Sequence, residues 1–215
     1  MKKIIHLLSV VLISLSLIGC GGKSNTSAVG QGSASKSSFT PGSVLVVFFS
    51  RAGEQYNVGV IKKGNTAIVA EMIADRTGAD LYEVRPEKES NYNVGYEKLT
   101  EIGLQEKRDK ARPEIAGTLP DLSKYDTIFF GTPVWWEDWP MIMYTFFENN
   151  KLSGKKLISF VTHAGSGMCG LDQKLAAVYP NCELLPGIAI VGEQAQKDPG
   201  PVKETVNSWL ENLGF

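Results

Sequence analysis

The chain has 215 residues, of which 43% are hydrophobic, and its 22 basic and 23 acidic side chains give a formal net charge of −1. Its size suffices for the core of one ordinary domain, and the near-neutral charge argues against nucleic acid as a partner. Beyond residue 20 the sequence has one histidine and two separated cysteines, too few for a typical structural zinc site. It contains neither the Gly-x-x-x-x-Gly-Lys loop of a phosphate-loop nucleoside triphosphatase nor the Gly-x-Ser-x-Gly elbow of a serine hydrolase.

The N-terminal segment has the pattern of an export signal. Lys2 and Lys3 precede an apolar run over residues 4–18, which is shorter than the roughly 20 residues of a membrane-spanning helix. Gly19 and Cys20 follow, and this junction resembles the lipobox of bacterial lipoproteins. We therefore expect a signal peptide over residues 1–19 and a lipid anchor on Cys20 that holds the chain to a membrane of the bacterial cell envelope, on the exported side. An ordinary secretory peptide with an incidental cysteine is the alternative.

Residues 20–42 are predicted to be a flexible tether. From Gly21 to Gly42 nearly every residue is Gly, Ser, Thr, Ala or another small polar type, which cannot start an apolar core. The remaining 173 residues, 43–215, have the usual size of one domain. Cleavage before Cys20 would leave 20 basic against 23 acidic residues, so we again expect no nucleic acid partner.

The domain begins with a strand and a helix. Residues 44–49 form a continuous apolar run, which predicts a strand that is buried on both faces and therefore central. Helical spacing of apolar residues follows over 65–77, with Asn65 placed to cap the start of the helix and Gly78 its end.

Strands and helices alternate through the rest of the chain. Four more strands are predicted: Leu81–Arg85, Thr127–Gly131, Leu157–Val161 and Leu184–Val191. The first and last of these should lie at sheet edges, because Pro86 ends the first and Pro186 lies within the last. Four more helices are predicted: Tyr96–Lys110, Pro140–Glu148, Met168–Val178 and a final one with Val202, Val206, Trp209, Leu210 and Leu213 on one stripe. We expect Gly103 to interrupt the second helix and Asp138 to cap the third. The alternation predicts an α/β domain with a doubly wound, five-stranded parallel sheet of order 2-1-3-4-5 and helices on both faces.

In such sheets a ligand binds beyond the carboxyl ends of the strands, between the first and third strands. Ser50, Arg51 and Gly53 follow the first strand, and the first helix opens with Gly64, Asn65 and Thr66. Hydroxyl groups and unpaired N–H groups at a helix N-terminus favour an anion. These six residues therefore predict a phosphate site that needs no metal.

The loop after the third strand contains Pro133, Val134, Trp135 and Trp136. A loop buries two adjacent tryptophans poorly, so a planar apolar ligand such as a flavin ring would be their natural partner. One of the two is expected to pack against the domain, and the sequence does not indicate which.

The loop after the fourth strand contains Thr162, His163, Gly165 and Gly167. Its glycines permit backbone N–H groups to approach a ring edge and tune a reduction potential. His163, the one histidine that remains after cleavage, could donate a hydrogen bond to the ring or to a substrate, and it is the candidate catalytic residue. A solvent-facing histidine is the alternative.

In these loops the chain resembles the flavodoxin family. Ser50, Gly53, Asn65 and Thr66 match the loop that holds the FMN phosphate in that family. The Gly-Thr-Pro-Val-Trp pattern that ends at Trp135 is similar to that of flavin-binding relatives, including quinone reductases. The resemblance implies a flavodoxin-like fold and noncovalent FMN, with its phosphate on the first helix and its ring between the second and third loops.

The resemblance covers residues 43–215 and departs from the family at residues 54–63, an insertion that leaves the roles of Arg51 and Tyr56 open. It implies an electron carrier that docks a redox partner protein. An FMN-dependent NAD(P)H:quinone-type oxidoreductase, with a small-molecule acceptor such as a quinone, is one alternative, and a non-enzymatic exported binding module is another.

A second pattern competes with this interpretation. Residues 165–170 match Gly-x-Gly-x-x-Gly, the dinucleotide fingerprint, after a strand and before a helix, and Glu193 could contact a ribose. The match lies in the fourth strand–helix unit and leaves the Ser50 and Trp135 loops unexplained.

Overall fold

The structure is a computed structural model that describes residues 43–88 and 91–215. The predicted signal peptide over residues 1–19, the lipidated Cys20 and the tether over residues 20–42 lie outside the described residues. In the part of the chain that is described, no helix is both long and apolar enough to cross a membrane.

A five-stranded parallel sheet forms the centre of the domain. Its strands are β1 (Val44–Phe48), β4 (Asp80–Glu83), β5 (Thr127–Pro133), β6 (Lys156–His163) and β7 (Glu183–Val191), in the spatial order β4-β1-β5-β6-β7. This order is 2-1-3-4-5, which confirms the predicted α/β flavodoxin-like sheet and its two edge strands. A small antiparallel hairpin, β2 (Gly53–Gln55) and β3 (Gly59–Ile61), was not predicted and occupies most of the insertion.

Helices cover both faces of the sheet. They are α1 (Asn65–Thr77), α2 (Tyr96–Asp109), α3 (Met141–Asn149), α4 (Leu171–Val178), α5 (Gly192–Lys197) and α6 (Pro199–Leu213), with a 3₁₀ turn at Leu122–Lys124. The predicted helices are all present, and the six-residue α5 is an addition that the sequence pattern did not indicate.

The core is divided between the two faces of the sheet because successive side chains of a strand point in opposite directions. In β1, Val44, Val46 and Phe48 pack into the core formed with α1, α5 and α6, whereas Leu45 and Val47 pack into the core formed with α2, α3 and α4. All five are at most 5% exposed. Burial on both faces explains why the run has no polar position.

The start of α1 differs from the prediction. Gly64, and not Asn65, is the N-cap residue, and a glycine has no side chain that could accept a capping hydrogen bond. Ser50, which is distant in sequence, caps the helix instead, because its Oγ accepts a hydrogen bond from the N–H of Ala67 at 3.0 Å. The helix ends at Gly78 with a φ of 69°, as predicted.

The start of α3 also differs from the prediction. Asp138 lies too early in the chain to cap this helix, whose N-cap residue is Pro140 and whose first residue is Met141. Oδ1 of the Asp138 carboxylate accepts hydrogen bonds from the N–H of Trp139 and the hydroxyl of Tyr144, both at 2.9 Å. Asp138 therefore organises the loop before the helix.

Candidate functional site

A cavity of about 400 Å³ lies beyond the carboxyl ends of β5, β6 and β7. This is the edge of the sheet where doubly wound folds bind ligands, and the volume falls in the usual range for ligand pockets. The cavity gathers half of the predicted site residues: Asn65, Pro133, Val134, Trp135, Trp136, Thr162 and His163. It also includes residues that were not predicted as ligand contacts: Gln55, Asn57, Tyr96, Leu99, Thr100, Gly103, Ala164, Val191 and Gly192.

The other predicted residues lie outside this cavity. Ser50, Arg51, Gly53 and Gly64 line a neighbouring groove on the β1–β4 side of α1. Thr66, Gly165 and Gly167 line neither. Asn65, the first residue of α1, is thus the point at which the predicted phosphate loop reaches the cavity.

Close packing fixes the N-terminus of α1. A Cβ on Gly64 would lie 2.2 Å from Oγ of Ser50 and 2.5 Å from the carbonyl oxygen of Arg51, so only glycine fits there. Ser50 satisfies the N–H of Ala67, while first-turn N–H groups such as that of Asn65 have no carbonyl partner inside a helix. Such a helix start is able to bind an anion without a cationic side chain.

Asn65 has a buried side-chain oxygen, Oδ1, without a hydrogen-bond partner among the described residues. On the other side, a Cβ on Gly192 would lie 2.3 Å from Nδ2 of Asn65, so α5 must begin with glycine to admit this amide. A buried polar atom without a partner is costly, and here it borders a cavity that a polar ligand could enter.

A buried hydroxyl pair joins α1 to β6. The Oγ1 atoms of Thr66 and Thr162 lie 2.7 Å apart, and both residues are at most 3% exposed. The carbonyl oxygen of Thr162 accepts a hydrogen bond from the N–H of Val134 at 2.9 Å. Thr66 therefore acts within the scaffold, where it fixes the helix start against the strands that carry the second and third loops.

Arg51 connects the hairpin to the segment before α2. Its Nε donates to the carbonyl oxygen of Tyr92 at 2.8 Å, and its terminal nitrogens donate to the carbonyl oxygens of Glu54 and Val94. Burial lowers the pKa of Arg51 from its ordinary value, and the nearby Glu54 opposes that effect. Since these donors are engaged, the structure gives Arg51 a local structural role, and its predicted contact with a ligand stays a prediction.

The two tryptophans have different surroundings. Trp135 packs edge-to-face on Phe49 and Tyr92, with ring centroids 5.4 Å apart in each pair, and it also covers Gly103 of α2. The prediction that Gly103 interrupts α2 is wrong, because the helix continues through it. The glycine instead makes room for this ring, since a Cβ there would lie 3.2 Å from Cε3 of Trp135. Trp136 is 47% exposed, so Trp135 is the member of the pair that packs against the domain.

His163 is oriented by the glycine loop that follows it. Its Nδ1 accepts a hydrogen bond from the N–H of Gly165 at 2.9 Å, which leaves Nε2 to carry the proton of the neutral ring. Burial lowers the pKa of His163 from its ordinary value. The histidine therefore presents an uncharged donor at the wall of the cavity. Gly165 and Gly167 have φ angles of 124° and 68°, which suit glycine.

The hairpin of the insertion forms one wall of the cavity. Tyr56, near its turn, lies beside Tyr96 with ring centroids 5.8 Å apart. Glu54 binds the hairpin to α2, because its Oε2 accepts a hydrogen bond from the N–H of Tyr96 at 2.9 Å. The sequence does hold a signal for this hairpin, since Asn57 and Gly59 are turn formers between short segments.

The dinucleotide interpretation does not fit the structure. The helix predicted from Met168 begins instead at Leu171, because Cys169 and Gly170 have left-handed φ angles of 50° and 69°. All three glycines of the pattern thus precede the helix, whereas the fingerprint packs its last glycine against the strand from within the helix start. A Cβ on Gly165 would also meet no atom of the described residues within 4 Å.

The sequence from residue 44 to residue 213 matches the family model described as Flavodoxin. The chain therefore belongs to the flavodoxin family. No curated protein matches it significantly.

Solved structures agree with this family. A Bacteroides uniformis ATCC 8492 protein assigned as a flavoprotein is 26% identical, with a TM-score of 0.60 and coverage of 80% of this chain and 99% of that chain. A similar Bacteroides eggerthii DSM 20697 protein is 25% identical, with a TM-score of 0.60 and coverage of 80% and 98%. A flavoprotein from Lactobacillus acidophilus NCFM, solved in complex with FMN, is 22% identical over 72% of this chain and 96% of its own, and its TM-score of 0.54 indicates the same fold.

Proposed function

We propose that this protein binds FMN noncovalently and functions in electron transfer. The observation that carries the proposal is Asn65, which stands at the start of α1 and lines the cavity with a buried, unpartnered Oδ1. A phosphate at the helix N-terminus and a polar chain running past Asn65 into the cavity would satisfy both features. The FMN complex of the Lactobacillus acidophilus relative supports the same choice of ligand.

At the other end of the cavity the residues suit a flavin ring. Trp135 and Val134 supply apolar surface, and the neutral His163 supplies a donor. A bound flavin supplies one- or two-electron chemistry, while the protein provides position and electrostatic surroundings. His163 would donate from Nε2, and Trp135 would exclude water from its side of the ring. Tyr56 and Trp136, 53% and 47% exposed, would border the route to an electron partner.

The first test is the visible absorption spectrum of the purified protein, followed by identification of the released ligand. We expect a flavin spectrum and FMN in near-stoichiometric amount, or saturable binding when FMN is added to ligand-free protein. A colourless protein that also refuses added FMN would overturn the proposal and leave an exported binding module of flavodoxin fold.

Two asparagines offer a matched pair of variants for this test. Asn65 and Asn207 each have a buried Oδ1 without a partner among the described residues, but Asn207 lies in α6 and does not line the cavity. We expect Asn65→Ala to weaken FMN binding by about tenfold or more, the equivalent of one lost hydrogen bond to the ligand. Asn207→Ala should leave the dissociation constant unchanged.

A second candidate function is an FMN-dependent NAD(P)H:quinone-type oxidoreductase. The observation that favours it is the aromatic border of the cavity, where the exposed rings of Tyr56 and Trp136 could stack on a planar acceptor. Steady-state NADH or NADPH oxidation with a soluble quinone separates the two: turnover supports the enzyme, and no turnover with flavin bound supports a carrier that needs a redox partner protein.

We also propose that the domain is tethered to a membrane of the bacterial cell envelope through a lipid on Cys20. The support is the sequence of residues 1–20, in which a basic start and a short apolar run end at Gly-Cys. Fractionation of cells that express the full chain should find it with membranes, and Cys20→Ala should release it or leave it unprocessed. Equal membrane association of both chains would contradict the lipid anchor.

A further inference from the structure

The turn that carries Trp136 is strained. Trp136 and Glu137 have left-handed φ angles of 53° and 58° and connect Trp135 to Asp138, which exchange backbone hydrogen bonds of 3.1 and 3.0 Å. A two-residue connection with both residues left-handed is the arrangement of a type I′ turn, for which Asn-Gly is the favoured sequence. Tryptophan and glutamate are poor residues for it, so other contacts must hold the turn in place.

Two lysines from different helices contact the turn. Nζ of Lys107, in α2, donates a hydrogen bond to the carbonyl oxygen of Trp136. Nζ of Lys174, in α4, donates to the carbonyl oxygen of Glu137 at 2.8 Å. The two strained residues thus each have their carbonyl group held by a cation from outside the loop.

Asp138 holds both lysines in position. Its carboxylate lies 2.9 Å from Nζ of Lys174 and 3.7 Å from Nζ of Lys107, and its side chain is only 14% exposed. The N–H of Trp139 and the hydroxyl of Tyr144 donate to the same carboxylate at 2.9 Å. We call Lys107, Lys174 and Asp138 the lysine clamp.

Trp136 connects the lysine clamp to the cavity. Its indole Nε1 donates to the carbonyl oxygen of Thr100 at 2.9 Å, and its side chain forms part of the cavity wall. If the turn relaxed to ordinary φ angles, the direction of this side chain would change.

We propose that Lys107 and Lys174 are positioning residues that hold the Trp136–Glu137 turn left-handed and thereby keep Trp136 at the mouth of the cavity. Their functional effect rests on the proposed FMN binding, because Trp136 held there slows the escape of the flavin. The lysines act on the turn and not through their charge on the ligand.

The test compares Lys107→Met/Lys174→Met with the same protein that also carries Glu137→Gly, since glycine adopts a left-handed φ without strain. The first readout is the ¹⁹F resonance of Trp136 in ligand-free protein labelled with 5-fluorotryptophan and assigned with Trp136→Phe. The second is the FMN dissociation rate. In the double variant we expect a shifted or broadened Trp136 resonance and dissociation at least about tenfold faster. Adding Glu137→Gly should restore both.

The control is Lys98→Met, which removes an exposed lysine of α2 that forms an ion pair with Glu101 and should change neither readout. If the double variant fails to fold, Lys107→Met and Lys174→Met are measured singly, and each should produce part of the effect. An unchanged Trp136 resonance would overturn the inference. Faster FMN dissociation that Glu137→Gly does not reverse would also overturn the inference, because the lysines would then act through their charge.

Failure of the proposed function has a different signature. A protein that binds no FMN contradicts that function, yet the ¹⁹F readout in ligand-free protein still decides whether the lysines hold the turn.

Discussion

The start of α1, which reaches the cavity at Asn65, consists of backbone and small side chains, whereas the Trp136 turn borders the cavity with large rings held by long charged side chains. Gly64 at the first end has no room for a Cβ, and Thr66 is fully buried. At the second end Trp136 and Tyr56 are about half exposed. The first end is part of the folded core, and the second lies at the surface, where side chains of α2 and α4 hold it in place.

The two ends suit two kinds of recognition. An anion requires N–H groups at fixed positions, which a close-packed helix start provides without side-chain entropy. A ring that exchanges electrons with a partner needs planar contact and also access, which a partly exposed border provides. Substitutions at the first end should therefore affect folding and binding together, whereas substitutions at the second should separate them.

The largest effect on FMN binding is expected from Gly64→Ala. The new Cβ would lie 2.2 Å from Oγ of Ser50, so the helix start must move or the loop after β1 must open. We expect a loss of about 1–3 kcal/mol in the free energy of unfolding and FMN binding weakened by about 100-fold or more. Denaturant unfolding and FMN titration measure the two quantities.

Gly200→Ala is the control for this prediction, because the residue lies in a helix and a Cβ there meets no described atom within 4 Å. It should leave both quantities nearly unchanged. If Gly64→Ala kept both stability and FMN affinity, the helix start would not be the rigid end of the site.

The tryptophan pair gives the next largest effect and separates folding from binding. Trp135→Ala removes a ring packed on Phe49 and Tyr92, and we expect it to lower the free energy of unfolding by about 2–3 kcal/mol. Trp136→Ala, at a residue that is 47% exposed, should change it by less than about 0.5 kcal/mol. Both should alter FMN binding. Equal losses of stability in the two variants would show that the second end belongs to the core as well.

The hydroxyl pair of Thr66 and Thr162 should give a smaller, coupled effect. Either Thr→Val change leaves the other hydroxyl buried without its partner at 2.7 Å, at an expected cost of about 1–3 kcal/mol. The double variant removes both hydroxyls and should cost less than the sum of the single ones. A double-mutant cycle in denaturant measures this coupling, and additive losses would contradict it.

The contrast between the two ends also explains what the sequence could predict. Buried parallel strands are continuous apolar runs, so the sheet order and its edges followed from Val44–Phe49 and from Pro86 and Pro186. The glycine and asparagine at the start of α1 were likewise visible, because helix starts have local signals. Short elements were missed: the strands of the β2–β3 hairpin have three residues each and α5 has six, too few to establish a hydrophobic period.

Long-range contacts set the remaining features, and no local pattern contains them. Which tryptophan packs inward depends on Phe49 and Tyr92, which are distant in sequence from Trp135. The cap of α1 comes from Ser50 across the insertion. Asp138 has the residue type of a helix cap, but its carboxylate instead pairs with Lys174 and accepts a hydrogen bond from Tyr144.

The smallest expected effect concerns the pH dependence of stability through His163. Burial lowers the pKa of His163 in the folded protein below its value of about 6.5 in the unfolded chain. The unfolded chain then binds the proton more readily, so the stability present above about pH 6.5 is lost as the pH falls through the folded pKa. In His163→Gln this contribution is absent, whereas the pH dependence due to carboxylates is shared. Unfolding free energies at about pH 7.5 and about pH 5 should therefore fall more steeply for the natural chain, and parallel curves would mean that His163 is as solvated in the folded protein as in the unfolded one.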